Sequence, residues 1–264
     1  MITSITPNKS STFTSRCSQV RDADWVCHKI NQRFPHFSST KMQPFIENFL
    51  KRNSEVLNYA KPAQNLSEIY FFLDDIIFPE GHQKVQDTVF TIKRMIRNFG
   101  EKRLQINELI GTGEFKDNVY ETILMLQNKH ANCTENAIMA ELILKMNGIK
   151  NACCAILNKC SQNKKPESLD HMICVTNIDG SKFNGKITPK TIIVDPWLNR
   201  ADFANRMELF FRNDCKNFFE LNINESFNYV VREMIDISDD EIDDIKKILP
   251  ELVFKTKNHK FMQK

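Results

Sequence analysis

The sequence predicts an α+β fold, in which a helix-rich first half is followed by one capped helix and a small antiparallel sheet. Three observations carry this expectation. Between residues 42 and 130 the apolar residues recur mainly at three- and four-residue steps, the helical period. From residue 131 the pattern changes to a single helical stretch, ANCTENAIMAELILKMNG, and then to three short apolar runs, NACCAIL, HMICVTN and TIIVDPW. The polar stretches between those runs carry Asp179-Gly180, Asn184-Gly185 and Pro189, residues that reverse a chain, so the runs read as strands.

Residues 1–18 (MITSITPNKSSTFTSRCS) are dense in Ser and Thr and poor in large apolar groups. Such a segment buries too little surface to offset its ordering, and a flexible tail is expected. The remaining residues, 19–264, suit a single domain with one sizeable core. Within it, helices are expected in MQPFIENFLKRNSEVLNYA, in KVQDTVFTIKRMIRNFG with Gly100 as its stop, and in EFKDNVYETILMLQNKH. In the second of these Val85, Val89, Ile92, Met95 and Ile96 share one face, as core-packing residues do. The intervening NLSEIYFFLDDIIFPEGHQ, with Asp74 and Asp75, fits helix or strand.

Residues 201–264 are expected to be helical. ADFANRMELFFRN has a helical pattern, and Ser238 with Glu241 forms a capping box ahead of Ile242, Ile245 and Ile248. The acids between Asp236 and Asp244 gather at that helix's N-terminus, where negative charge is favourable, so a solvated first turn accounts for them better than a metal site.

Composition excludes several classes. A formal charge of +3, from 36 basic against 33 acidic residues spread along the chain, gives no electrostatic footprint for nucleic acid. No run reaches the ~18 apolar residues of a membrane span, and the first thirty residues hold no secretory h-region. The eight cysteines show no C-x-x-C pair and no zinc-type repeat, and several lie in apolar runs, so a reducing compartment such as the cytoplasm fits them. Cys153 and Cys154 point to opposite faces of one strand and cannot act as a pair.

Cys133, His171 and Asp195 stand apart from this background. Asn132 is a good N-cap and Glu135 occupies the capping-box position, which puts Cys133 in the first turn of its helix, where the dipole favours a thiolate. Ala137, Ala140 and Leu144 follow at helical spacing and let that side pack closely on a sheet, and Gly148 marks the helix end. If residues 171–176 pair antiparallel with 190–195, His171 and Asp195 become cross-strand neighbours. Pro196 suits a strand that ends at Asp195. The three groups then make a nucleophile, its base and the base's orienter, the set of a cysteine-dependent acyl-transfer enzyme, which needs neither cofactor nor metal. Oxyanion donors would be the Cys133 backbone N–H and one further group, with Gln127 and Asn132 as candidates. The plainer reading of Asp170 is a solvated strand-end acid, and that of Trp197 is an anchor for the turn after Asp195.

NCTENA, DHMICV and IIVDPW together resemble the core of the transglutaminase-like branch of the papain-like cysteine enzymes. That family has Cys on a helix, then His and Asp on neighbouring strands. The resemblance covers roughly residues 120–200 and is nearest to compact bacterial effectors, which include glutamine deamidases and proteases acting on host proteins. It implies a papain-like core and a protein substrate. Thr134 stands where animal transglutaminases carry Trp, no calcium-loop pattern is visible, and Asp195 stands where papain-type proteases carry Asn. The Ser/Thr-rich start also resembles the export signals of bacterial effectors, which implies delivery into a host cell by a type III or type IV system. The expected activity is glutamine deamidation or transglutaminase-like crosslinking. The alternatives are a cysteine protease and a non-catalytic binding module with a coincidental triad.

Overall fold

The structure, a computed structural model, describes residues 18–34, 80–109, 118–161, 164–216 and 221–254 apart from residue 223, together with 48–49, 51–52, 54, 73 and 219. The expected tail up to residue 17, most of the helix expected at 42–60 and most of the segment around Asp74 and Asp75 lie outside the described residues.

The described helices are α1 (Ser18–Arg33), α2 (Gln83–Leu109), α3 (Asn118–Gln127), α4 (Cys133–Met146), α5 (Ala204–Asn213) and α6 (Asp239–Ile248), followed by a 3₁₀ turn at Pro250–Leu252. The strands are β1 (Cys153–Cys160), β2 (Glu167–Asn177), β3 (Thr191–Asp195), β4 (Arg200–Phe203) and β5 (Ser226–Val231). They form one sheet in the order β4-β3-β2-β1-β5, with antiparallel neighbours throughout. The chain is therefore α+β. Among the described residues no helix is long and apolar enough to cross a membrane.

Three expectations need correction. The second helix does not stop at Gly100 but runs on to Leu109. Glycine costs a helix interior only about 1 kcal/mol, and the EKRLQ that follows is made of good helix formers. Residues 201–203 are strand, because the turn after Asp195 returns the chain alongside β3, pairing Asp195 with Arg200 and Ile193 with Asp202. Residues 226–231 are also strand: SFNYVV is rich in β-branched and aromatic residues and covers the outer edge of β1.

Sheet alternation splits the core in two. Cys154, Met172, Cys174, Ile192 and Val194 face a cluster shared with α1, α4 and α6. Cys153, Ala155, Leu157, Ile173, Val175 and Ile193 face the other side with Met207 and Phe211 of α5, Phe219 and Tyr229. Cys153 and Cys154 thus point to opposite faces.

Helix α4 is the axis of the first layer. It is buried on nearly every side from Glu135 to Leu144, as a helix covered by both a sheet and other helices must be. Ala137 and Ala140 are fully buried there, and α4 packs on β2 and β3. The helix ends in a Schellman motif: Ile149 N–H donates to Leu144 O at 2.9 Å and Gly148 N–H to Lys145 O at 3.0 Å. This requires φ of +89° at residue 148, which glycine adopts without penalty.

Candidate active site

Cys133 is the first residue of α4, with Asn132 as its N-cap. The Glu135 carboxylate accepts the Asn132 backbone N–H at 2.6 Å, so the capping acid is in place. The Asn132 carbonyl accepts the Asn136 N–H at 3.2 Å and the Asn136 side-chain amide at 2.7 Å. The turn that presents the thiol is thereby pinned by side-chain as well as backbone hydrogen bonds.

His171 and Asp195 meet by the pairing the sequence suggested. Val175 lies opposite Ile193 and Cys174 opposite Val194. Carried one residue further, this register sets Asp195 opposite Ile173 and so diagonally across from His171, two residues along β2. Their side chains close the diagonal, with His171 Nε2 2.7 Å from Asp195 Oδ2 and both residues buried. The other carboxylate oxygen, Oδ1, accepts the Leu198 N–H at 3.1 Å. With Nε2 engaged, the second ring nitrogen is left for the thiol. The thiol lies close enough to hydrogen-bond with the ring.

The electrostatics follow from this packing. Burial opposes a charge on His171, but the Asp195 carboxylate, through Coulomb attraction and its hydrogen bond, outweighs burial with help from Cys133. The imidazole is raised from 6.5 to about 10. The ring is an imidazolium at neutral pH. Two aromatic rings flank it: Trp197 at 5.1 Å and Phe219 at 5.3 Å between centroids. The site therefore lies where the two core layers meet, because Cys133 packs against the first cluster and Phe219 belongs to the second.

Among the sequence candidates, the fold brings Cys133, His171 and Asp195 together. Asn132 stays beside them as the helix cap, with its N–H already donated to Glu135. Gln127 does not join them. It ends α3, is exposed, and lines a groove with Tyr120, Ile123, Leu124, Ile245 and Ile248. Trp197 does more than anchor the turn, since its ring stands against the imidazole.

Two contributors were not anticipated. Phe219 follows α5, in a stretch with no pattern that would assign it to a site. Asp170 has an exposed side chain but adopts φ +50°, and its carbonyl lies 3.7 Å from Cys133 Sγ as an acceptor. An acid preceding a strand histidine gives no hint that its backbone is what matters. Helix α1 also holds the site from behind: Asn31 Nδ2 donates to Pro196 O at 2.7 Å, the Cys27 thiol to Arg200 O at 3.4 Å, and Asp24 accepts the Ala201 N–H at 3.1 Å. No protein-family model, no curated protein and no solved structure matches this chain.

Proposed function

We propose that the chain is a cysteine-dependent acyl-transfer enzyme with a papain-like, transglutaminase-like core, acting on glutamine carboxamides of a protein. The observation that carries this reading is one buried imidazole with a carboxylate 2.7 Å from Nε2 and a helix-terminal thiol within hydrogen-bonding reach of the ring. The antiparallel sheet with the cysteine-bearing helix against one face supports the papain-like assignment of the core.

In this mechanism His171 already carries the proton when the Cys133 sulfur attacks the carboxamide carbon, forming the C–S bond as the carbonyl π electrons move to oxygen. His171 returns the proton to the departing nitrogen as the C–N bond breaks, releasing ammonia and leaving a thioester. Water then attacks the thioester, His171 accepts and keeps its proton, the C–S bond breaks to return the sulfur to Cys133, and glutamate is the product. An amine in place of water gives a crosslink. Asp195 keeps the imidazole oriented and stabilises its charge throughout. The Ser/Thr-rich start supports a role as a secreted bacterial effector meeting its substrate in a host cell.

The test is a comparison of the wild-type chain with Cys133→Ala on a host-cell lysate, read by peptide mass spectrometry. The expected result is a gain of one mass unit at particular glutamines, or new glutamine crosslinks, only with the wild type. New peptide termini at intact glutamines would replace this reading with proteolysis through the same thioester step. No difference between the two proteins would end both.

A further inference from the structure

We propose that Cys27 of α1, seconded by Asn31, is a positioning residue for the Asp195–His171 pair and sets, through the backbone, where the carboxylate stands. The pairing of β2 with β3 ends at Cys174 and Val194, so Asp195 lies one residue past it. The ladder to β2 therefore does not fix the distance from Asp195 to His171. On its other side Asp195 is opposite Arg200, the first residue of β4, which is four residues long and forms the edge of the sheet. A short edge strand needs support from another element to hold a side chain in one place.

Helix α1 supplies that support from the opposite face. Alternation turns Val194 toward the first core cluster, so the Asp195 side chain leaves the sheet on the other side, with Ile193. Cys27 belongs to the first cluster and is 1 % exposed. Its thiol donates to Arg200 O at 3.4 Å, and the same sulfur interacts with the Asp195 backbone. One buried atom thus touches both members of the last pair in the β3–β4 hairpin. Burial and the carboxylates of Asp195 and Asp24 push this thiol well above its ordinary value, so it keeps its proton and remains a donor.

The contact is extended one turn either way along α1. Asn31 Nδ2 donates to Pro196 O at 2.7 Å and to Asn199 Oδ1 at 3.3 Å, while Asp24 accepts the Ala201 N–H at 3.1 Å. Residues 24, 27 and 31 share a helix face and grip residues 195–201 from end to end. The charged and titratable groups around the pair are Cys133 from α4, Cys27 and Asp24 from α1, Arg200 from β4, and Cys215 after α5, itself beside Asp214. Replacing Cys27 or Asn31 removes no charge from this set. A change in His171 titration in such variants therefore reports the position of the carboxylate. As a role in catalysis the inference rests on the reaction proposed above, whereas the His171–Asp195 geometry it acts on does not.

Imidazole NMR titration of the full chain in wild type, Cys27→Ala, Cys27→Ser, Cys154→Ala and Asn31→Ala tests this. The proton affinity of His171 should fall about threefold or more in Cys27→Ala, where one pH unit is tenfold. Cys27→Ser should recover most of the loss, because its hydroxyl still donates to a carbonyl and its volume is close to that of alanine. Cys154→Ala, an equal truncation of a fully buried cysteine in the same cluster, should leave His171 unmoved. Asn31→Ala alters a half-buried residue and should lower the affinity in the same direction. An unmoved titration in Cys27→Ala would overturn the proposal; if that variant does not fold, an unmoved one in Asn31→Ala would do so. An equal fall in Cys154→Ala, or Cys27→Ser behaving as Cys27→Ala, would overturn it as well. On a glutamine substrate Cys27→Ala should lower kcat about tenfold at unchanged KM, the effect of a sub-ångström displacement. A wild type without turnover would remove the reaction, while the titration would still decide the positioning role.

Discussion

Asn31, on the first helix, donates its side-chain amide to the carbonyl of Pro196 at 2.7 Å, across 165 residues of chain. Pro196 directly follows the carboxylate that orients the imidazole, so α1 braces the turn on which the site depends. Asn31→Ala removes that brace. We expect about 1 kcal/mol of lost stability in urea unfolding, the usual net worth of one such hydrogen bond. An unchanged unfolding midpoint would show that the turn holds itself.

Cys133 should be the first thiol to react with iodoacetamide at neutral pH. Burial pushes Cys27, Cys154 and Cys174 well above the ordinary thiol value and raises Cys153 and Cys215 to about 11. Mass-mapped alkylation should find Cys133 labelled ahead of all five, with His171→Ala slowing it. Labelling at equal rates, indifferent to that substitution, would remove the thiol–imidazole pair from the chemistry.

The His171 ring should titrate near pH 10 rather than near 6.5. A folded-state value above the unfolded one means that the protonated ring stabilises the fold. That contribution is complete below about pH 6.5 and is lost as pH climbs through about 10. Imidazole NMR signals in Cys133→Ala should still titrate well above 6.5, because the larger share of the attraction comes from Asp195. Unfolding midpoints measured from pH 7 to 10 should decline, and decline less in Asp195→Asn.

Asp195→Asn should also reduce turnover by about 10⁴, as the loss of the orienting carboxylate does in comparable triads. The change is nearly isosteric, so circular dichroism should stay native. Activity within a few fold of wild type would exclude Asp195 from the mechanism.

Asp170 should tolerate Asn or Gly and resist Val. Its φ of +50° is strained for a β-branched residue by roughly 1–2 kcal/mol. Asp170→Val should lower the thermal midpoint and slow Cys133 alkylation together, since the same carbonyl faces the sulfur. Equal effects from Asp170→Gly and Asp170→Val would refute a backbone role.

The centre of the sheet is readable in the sequence and its edges are hidden. β2 and β3 announce themselves because continuous apolar runs bounded by Asp-Gly, Asn-Gly and Pro seldom form anything but strands, and their pairing follows from the reversal between them. The capped helix is equally legible, down to Asn132, Glu135 and Gly148. β4 is not: four residues, Arg200–Phe203, merge without a break into a helical pattern, and only a partner strand makes them extended. Helix α1 carries a usable signal that the Ser/Thr-rich stretch before it masks, since Val20, Ala23, Cys27, Ile30 and Phe34 repeat at three- and four-residue steps and are all buried. Of the site, the triad is visible from local context, whereas Phe219 and the Asp170 carbonyl are not. A backbone atom has no letter in the sequence, and a ring brought from a later segment has no local pattern.

The left-handed residue beside the sulfur carries an evolutionary consequence. At most positions next to a reactive group, drift is limited by side-chain chemistry. At Asp170 it is limited by torsion, so descendants of this gene should accumulate Asn and Gly there in preference to Glu, the acid most like the one they would be losing.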